Sequence, residues 1–285
     1  MRNRVSLSLI ALSLALFSLF RCAPKQAQET LSADNIIISY NVEGNGKPVL
    51  VFVHGWCCDK DYWKYQVAHF SNDYKVVTID LAGHGKSGLG RKTWSMEAFG
   101  KDVFAVLDKI NIEQAILIGH SMGGAVIIEA AKQMPTRIIG LVGVDTYQNI
   151  EEKYSHEQIE EVISPFRADF VETTRIFVRG MFTPDADSVI VEQIANDMSS
   201  APHEVGIGAV QEYFNYDYVS ALKDLKIPIV CINSDIWPTN VEAGQQYASS
   251  FELKLMSGIG HFVMIEEPAK FNKLLNETVN ELANE

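Results

Sequence analysis

The chain has 285 residues, of which 47% are hydrophobic and 21% are charged. This length suits one large α/β domain with an insertion, or two small domains, and the composition excludes disordered and fibrous proteins. The formal net charge of −12 at pH 7 argues against nucleic acid and anionic lipid headgroups as binding partners.

Residues 1–22 are predicted to form a signal sequence. Basic residues at positions 2 and 4 precede an apolar run over residues 5–20, which is typical of a secretory signal. A membrane span needs about 20 apolar residues, and this run is shorter and interrupted by serines, although a retained N-terminal anchor helix remains an alternative.

The segment Leu19–Pro24 looks like a bacterial lipoprotein junction, in which Cys22 becomes the lipidated N-terminus. Arg21 stands where such junctions have a small residue, and the alternative is a secreted protein cut near Ala27. Removing residues 1–21 takes the formal charge to about −15, so membrane attachment is expected through the N-terminus alone. We expect an exported protein, either periplasmic or membrane-anchored.

The remaining cysteines are Cys57, Cys58 and Cys231. Adjacent cysteines rarely bridge each other, and Cys231 lies in a strand-like run, so buried free thiols are predicted. A bridge from Cys231 to one of the adjacent pair is the alternative. No metal-ligand spacing is present, and neither a metal nor a cofactor is predicted.

From Asn35 onward, strand-like runs alternate with amphipathic helical stretches. Strands are predicted at residues 36–42, 49–53, 74–80, 115–118, 138–144, 227–232 and 251–256, and helices at 93–110, 122–134 and 262–282. The turn at 44–48 predicts an antiparallel start to the sheet. The other strands are nearly continuous apolar runs, which a parallel sheet buried on both faces requires, so a doubly wound α/β fold is expected.

The alternation stops between Asp145 and about Leu222. This segment has helical stretches rich in acids and aromatic residues, divided by Pro165, Pro184 and Pro202. The prediction is therefore an α/β core over residues 23–145 and 223–285, with a helical cap inserted at residues 146–222.

The segment GHSMG places Ser121 between two glycines where a strand gives way to a helix. This is the pattern of a nucleophile elbow, in which the serine takes a strained positive φ. Gly119 and Gly123 remove side chains that would collide in so tight a turn. Because such a pattern also occurs by chance, its position in the fold carries the prediction.

A serine nucleophile needs a histidine base and an acid that orients it. His261 follows the last predicted strand on a glycine-rich loop, and we take it as the base. Asp235, just after the strand at 227–232, is the preferred acid, because strand-end loops build such sites. Asp145 ends the preceding strand and is the competing choice, although it could equally cap a helix.

The developing oxyanion needs backbone N–H donors. Met122 follows the nucleophile and begins a helix, whose positive end favours negative charge. Trp56, in the loop after the strand at 49–53, is predicted to supply the second N–H.

These segments together resemble the α/β-hydrolase superfamily, from about Ile36 to the C-terminus. The matching motifs are the elbow, VFVHGW at 51–56, DLAGHGKS at 80–87 and GHF at 260–262. The resemblance implies Ser121 as nucleophile, His261 as base, and Trp56 with Met122 as oxyanion donors. It also implies structural roles for His54, Asp80, His84 and Ser87.

The expected activity is hydrolysis of a carboxylic ester of a small or medium uncharged substrate through an acyl-enzyme. A C–C bond hydrolase or a perhydrolase with the same triad, or a low-turnover ligand receptor, are alternatives. Aromatic residues of the cap could line an apolar pocket or pack as core, namely Phe166, Phe170, Phe177, Tyr213, Phe214, Tyr216 and Tyr218. Three cap arginines could bind a substrate carboxylate or form a solvated face, namely Arg167, Arg175 and Arg179.

Overall fold

The computed structural model describes residues 27–223 and 225–284, and the predicted signal sequence and Cys22 lie outside them. Within those residues the chain forms one eight-stranded sheet. Its strands are β1 (Gln28–Leu31), β2 (Ile37–Glu43), β3 (Val49–Val53), β4 (Val76–Ile79), β5 (Ala115–His120), β6 (Ile138–Val144), β7 (Ile229–Ser234) and β8 (Phe251–Met256).

The sheet is mostly parallel, in the order β1-β2-β4-β3-β5-β6-β7-β8. Strands β3 to β8 are parallel neighbours, and every residue of β3, β4 and β5 is buried. This burial explains why these strands read as continuous apolar runs. The α/β fold predicted from the sequence is therefore confirmed.

The antiparallel start of the sheet is also present, with a different partner from the one that the turn at 44–48 suggested. Strand β2 runs antiparallel to β1 and β4, and β3 lies inside the sheet between β4 and β5. The turn therefore joins two strands that are not neighbours. Strand β1 was not predicted, because its four residues are mostly exposed and carry little hydrophobic signal.

Helices connect the strands. A short 3₁₀ helix at Lys60–Trp63 precedes α1 (Lys64–Phe70), and the other helices are α2 (Met96–Lys109), α3 (Met122–Gln133), α4 (His156–Ala168), α5 (Phe170–Arg179), α6 (Ser188–Ser199), α7 (His203–Phe214), α8 (Tyr218–Leu222), α9 (Val241–Tyr247), α10 (Val263–Glu266) and α11 (Pro268–Ala283). None of these helices is both long and apolar enough to cross a bilayer, in the part of the chain that the structure describes.

Helices α4 to α8 occupy the segment between β6 and β7 that lacked a strand pattern. Pro165 lies inside α4 and does not divide it, whereas Pro202 is the N-cap of α7. Trp56, in the loop after β3, joins this helical segment to the sheet. Its indole Nε1 donates to the carbonyl of Gly206 at 2.7 Å, and its ring packs edge-on against Phe166 at 5.4 Å.

The loop after β4 is held by buried polar contacts. The Asp80 carboxylate accepts hydrogen bonds from the backbone N–H of Lys60 and of Lys86 and pairs with the Lys60 ammonium. His54 Nε2 accepts from the N–H of Leu81 at 3.1 Å. The structural contacts expected for Asp80 and His54 are therefore present.

Candidate active site

Ser121 lies at the turn between β5 and α3, with φ 53° and ψ −121°. The predicted positive φ is thus confirmed, a conformation that costs a non-glycine residue about 1–3 kcal/mol. A Cβ at Gly119 would come within 2.3 Å of the Gly123 carbonyl oxygen, and one at Gly123 within 2.7 Å of the His54 carbonyl oxygen. Both glycines are therefore needed for the turn that presents this serine.

His261 lies in the loop between β8 and α10 and is 5% exposed. Its backbone N–H donates to the carbonyl of Met181 at 2.9 Å, and its Nδ1 lies 2.5 Å from Asp145 Oδ2. Because an ionised carboxylate only accepts hydrogen bonds, Nδ1 is the donor to Asp145, and in the neutral ring this leaves the lone pair on Nε2. This is the tautomer that a base acting on a serine hydroxyl requires.

Asp145 follows the last residue of β6 and is 1% exposed. Its φ of 44° turns the backbone sharply at the strand end. Oδ1 accepts from the N–H of Ser234 at 2.7 Å while Oδ2 faces His261. Both carboxylate oxygens thus have buried donors, which holds the side chain in one orientation.

Asp235 does not contact His261, so the preferred pairing was wrong and the competing one is observed. The Asp235 carboxylate is exposed and accepts the N–H of Gly258 at 2.9 Å. This hydrogen bond holds the pKa of Asp235 below its ordinary value. The physical reason is that Asp235 follows β7, which lies one strand further than β6 from the β5 that leads to Ser121.

The pairing of the strands explains why Asp145 is the partner of His261. Ser121 follows β5 directly, and Asp145 follows the adjacent strand β6 directly, with β5 and β6 in parallel register from Ile116 to His120. The Ser121 N–H donates to the Val144 carbonyl at 3.0 Å, which ties the two strand ends together. An acid on the strand next to the nucleophile was therefore the better choice.

Trp56 and Met122 line one cavity together with Ser121 and His261. Within residues 27–223 and 225–284, no protein acceptor pairs with the backbone N–H of Trp56 or of Met122. Both residues are buried, and a buried N–H without a partner is uncommon in proteins. These two N–H groups are available to a ligand oxygen at the position predicted for the oxyanion hole.

Two cavities meet at Ser121. The smaller one has a volume of about 50 Å³ and apolar walls that include Cys58, Phe177, Met198 and Val210. The larger one has a volume of about 500 Å³ and walls from the loops after β6 and β7 as well as from the helical segment. Both cavities are bordered by Ser121, Phe177, Met181, Tyr213, Phe214 and His261.

The aromatic residues of the segment from α4 to α8 divide between the two roles considered for them, packing as core and lining a pocket. Phe166 and Phe170 pack as core against Trp56 and line neither cavity. Tyr216 and Tyr218 line the larger cavity, and the remaining three aromatic residues, Phe177, Tyr213 and Phe214, line both.

The three arginines of the helical segment line neither cavity at Ser121. Arg167 pairs with Glu160, and Arg179 pairs with Glu192 on the surface of the helical segment. Arg175 lines neither cavity. A carboxylate-binding role for these three residues is therefore not supported.

His120 is a residue of the site that the sequence reasoning missed. It precedes Ser121, is 1% exposed, and its Nε2 donates to the His261 carbonyl at 3.1 Å. The two imidazole rings are 4.6 Å apart. Burial holds the pKa of His120 well below 6.5, so the ring is neutral and supports the His261 loop without adding charge.

Cys57, Cys58 and Cys231 are free and buried, as predicted. Burial raises the pKa of all three thiols, so they are not activated nucleophiles. The described residues contain no group of three or more His, Cys, Asp or Glu side chains arranged to hold a metal ion.

A family model described as the alpha/beta hydrolase fold matches residues 48–179. The chain has this fold, and the match, together with the relatives, supports its place in the α/β-hydrolase superfamily. The relatives and structural neighbours also support a hydrolase.

Three similar proteins each align with most of this chain. 3-Oxoadipate enol-lactonase 2 of Acinetobacter baylyi is 27% identical, over 86% of this chain and 94% of its own. Karrikin insensitive 2 receptor CA of Petunia hybrida is 23% identical, over 81% of this chain and 92% of its own. An esterase structure from Exiguobacterium antarcticum superposes with a TM-score of 0.79 at 17% identity, over 90% of this chain and 100% of its own.

Proposed function

We propose that the protein is a serine hydrolase that cleaves carboxylic esters through an acyl-enzyme, with Ser121, His261 and Asp145 as its triad. One observation carries this proposal: the hydrogen bond from His261 Nδ1 to the buried Asp145, in a site where His261 lines the same cavity as the elbow serine. A surface histidine would need neither the buried acid nor the shared cavity.

The proposed reaction uses the groups that surround this cavity. Ser121 Oγ attacks the ester carbonyl carbon and its proton passes to His261 Nε2, while Asp145 stabilises the imidazolium. The carbonyl oxygen becomes an oxyanion that accepts from the N–H groups of Trp56 and Met122. The C–O bond then breaks, and His261 protonates the departing alcohol. Water, deprotonated by His261, attacks the acyl-enzyme and releases the acid and Ser121.

The cavities support a small, uncharged acyl group. A volume of about 50 Å³ holds only a few non-hydrogen atoms, since one water needs about 10–15 Å³ on the same measure. No lysine or arginine lines either cavity within the described residues. A lactone that carries a free carboxylate, such as the 3-oxoadipate enol-lactone in the name of the Acinetobacter enzyme, would find no cation here, so we propose a neutral ester instead.

The test is an acyl-chain series with p-nitrophenyl esters from acetate to octanoate. We expect the highest kcat/KM for acetate and propionate, and a fall beyond about four carbons. Ser121→Ala should lower kcat by at least about 10⁴-fold. Ser188→Ala, an exposed serine at the start of α6, is the matched control and should retain wild-type turnover.

Other outcomes would point to the alternative functions. Turnover that survives in Ser121→Ala would refute the acyl-enzyme mechanism. Absence of turnover for every acyl length, with a rise in Tm on adding the same esters to Ser121→Ala, would favour a ligand receptor. Cleavage of a β-diketone or perhydrolysis above ester hydrolysis would favour the C–C hydrolase or perhydrolase.

We also propose that residues 146–222 act as a cap over the site. The support is that Phe177, Tyr213 and Phe214 of this segment line both cavities beside Ser121. Limited proteolysis with and without a slow-reacting acyl inhibitor tests this, since a bound inhibitor should protect the segment from cleavage.

Export remains a proposal from the sequence. We propose that residues 1–22 direct export, with Cys22 as the lipidated residue. Palmitate labelling of the wild type and of Cys22→Ala tests this. Label that depends on Cys22 is expected, whereas an unlabelled and freely released wild-type protein would refute lipidation.

A further inference from the structure

The two cavities at Ser121 differ in what they can receive. Trp56 and Met122, whose N–H groups have no protein acceptor among the described residues, line the small cavity and not the large one. If the ester carbonyl oxygen binds there, the acyl group occupies the small apolar cavity. The alcohol part must then lie in the large cavity, because only these two spaces border Ser121 among the described cavities.

The large cavity is lined by aromatic rings, and the hydroxyls of two of its tyrosines are bonded elsewhere. Tyr147 donates to the Gly124 carbonyl at 2.6 Å, and Tyr216 donates to Glu129 at 2.8 Å. These residues therefore offer ring surface to a ligand. Trp237, in the loop after β7, is 39% exposed, and its ring lies 5.4 Å from the His261 ring. A flat apolar surface thus stands beside the position of the departing alcohol.

Polar groups on the opposite loop are available for hydrogen bonding. Gln148, which is half-buried, and Asn149, which is exposed, line the large cavity, and their side-chain amides have no protein partner among the described residues. Each amide provides both donors and acceptors. Glu152 adds an acceptor, and no lysine or arginine of the described chain lines this space.

From this arrangement we propose that the alcohol part of the substrate is a neutral polyhydroxylated ring, a monosaccharide unit. The C–H face of such a ring would pack on Trp237, and its hydroxyls would pair with the amides of Gln148 and Asn149. A hydroxyl both donates and accepts, which matches an amide and leaves none of its groups unpaired. This proposal rests on the proposed ester hydrolysis and deepens it: the protein removes short acyl groups from sugars.

A cationic alcohol is the competing ligand, since aromatic rings with one carboxylate can hold an ammonium group. The unpaired amides favour the sugar. A quaternary ammonium has no hydroxyl to offer, so it would cover Gln148 and Asn149 without pairing them, and polar groups that lose their water without gaining a partner cost affinity.

The experiment compares alcohols that carry the same acetyl group, by titrating released acetate. Methyl 6-O-acetyl glucopyranoside and galactopyranoside are matched with cyclohexylmethyl acetate, which has the same ring size and no hydroxyls. Acetylcholine represents the cation, and p-nitrophenyl acetate reports on the triad alone. We expect kcat/KM for at least one sugar acetate to exceed that for cyclohexylmethyl acetate by at least about 100-fold.

Variants of the residues that line the large cavity test which side chains cause the preference for the sugar ester. Trp237→Ala and Asn149→Leu should each reduce the ratio of sugar to cyclohexylmethyl kcat/KM by at least about 10-fold, mainly through KM for the sugar ester. Tyr65→Ala and Gln245→Leu replace an exposed ring and an exposed amide outside the cavity, and should leave the ratio unchanged.

The outcomes separate the two proposals. Serine-dependent cleavage of p-nitrophenyl acetate without preference for either sugar acetate would overturn the sugar proposal and leave ester hydrolysis standing. A preference for acetylcholine would assign the cavity to a cation. Absence of turnover on all five esters would overturn both.

Discussion

Two neighbouring strands of the sheet, β6 and β7, are each followed directly by an aspartate, and the two carboxylates have opposite surroundings. Asp145 after β6 is buried and shared between the N–H of Ser234 and the ring of His261. Asp235 after β7 is exposed and bound to the Gly258 N–H. An aspartate after a strand thus orients an imidazole in one case, Asp145, and accepts a backbone hydrogen bond from a neighbouring turn in the other, Asp235.

The difference shows that neighbourhood in the sheet decides the role of a strand-end acid. Strand β6 is paired directly with the β5 that carries Ser121, whereas β7 is one position further away. The loop with Asp235 still contributes, because it lies next to the loop that holds His261. Each of the following predictions tests one side of this comparison.

Replacing Asp145 should have the largest effect. Asp145→Asn keeps the size of the side chain, but an amide can present its NH₂ to His261 and so stabilise the wrong tautomer. We expect kcat for p-nitrophenyl acetate to fall by about 10⁴-fold with an unchanged fold. Steady-state kinetics and the circular dichroism spectrum measure the two quantities. A loss below about tenfold would show that the Asp145 hydrogen bond is not catalytic.

Asn233, on β7, connects the two strand ends. It is fully buried, its Oδ1 accepts the Thr146 N–H at 3.2 Å, and its Nδ2 donates to the Thr146 carbonyl at 2.8 Å and to Thr239 Oγ1 at 2.9 Å. Asn233→Ala leaves the Thr146 backbone unpaired, so we expect the free energy of unfolding to fall by about 3 kcal/mol.

The same variant should lower kcat by about tenfold, because the chain beside Asp145 loses its support. Urea denaturation and steady-state kinetics measure both effects, with the exposed Asn72→Ala as control. Wild-type stability in Asn233→Ala would mean that the β6 loop holds Asp145 without help from β7.

The sequence was sufficient for the elbow and insufficient for the acid. The glycines, the strand and the helix around Ser121 are contiguous, so local sterics predicted its positive φ. The acid depends on strand order and on the φ of 44° at Asp145, and neither is a local property of the sequence. Short elements such as β1 and α1 were missed for a related reason, because four to seven residues carry too little periodicity.

The buried histidines and the exposed Asp235 should affect the free energy of unfolding in different pH ranges. Burial lowers the pKa of His120, beneath the His261 loop, well below 6.5, and it lowers the pKa of His84 to about 3. Each of these rings binds a proton in the unfolded chain below pH 6.5 but not in the folded chain. Their contribution to stability is therefore full above pH 6.5 and is lost as the pH falls.

We expect the free energy of unfolding to fall between pH 6 and pH 5 by up to about 1.4 kcal/mol per pH unit for each such histidine. In His120→Asn the slope of the free energy of unfolding against pH should be smaller by the contribution of one histidine. His69→Asn, at an exposed position, should keep the wild-type slope. Urea denaturation at the two pH values measures the slope. An unchanged slope in His120→Asn would show that this ring is protonated in the folded protein.

Asp235→Asn should have the smallest effect and marks the other side of the comparison. The amide oxygen can still accept the Gly258 N–H, and no contact joins residue 235 to His261. The hydrogen bond lowers the pKa of Asp235, so its contribution to stability is present above about pH 3.8 and lost only as the pH falls below that value. We therefore expect kcat at pH 7 within about threefold of wild type, and an unchanged slope of the free energy of unfolding between pH 6 and pH 5.

A fall in kcat comparable to that of Asp145→Asn would mean that the Asp235 carboxylate reaches His261 during turnover. The distinction between the two strand ends would then fail.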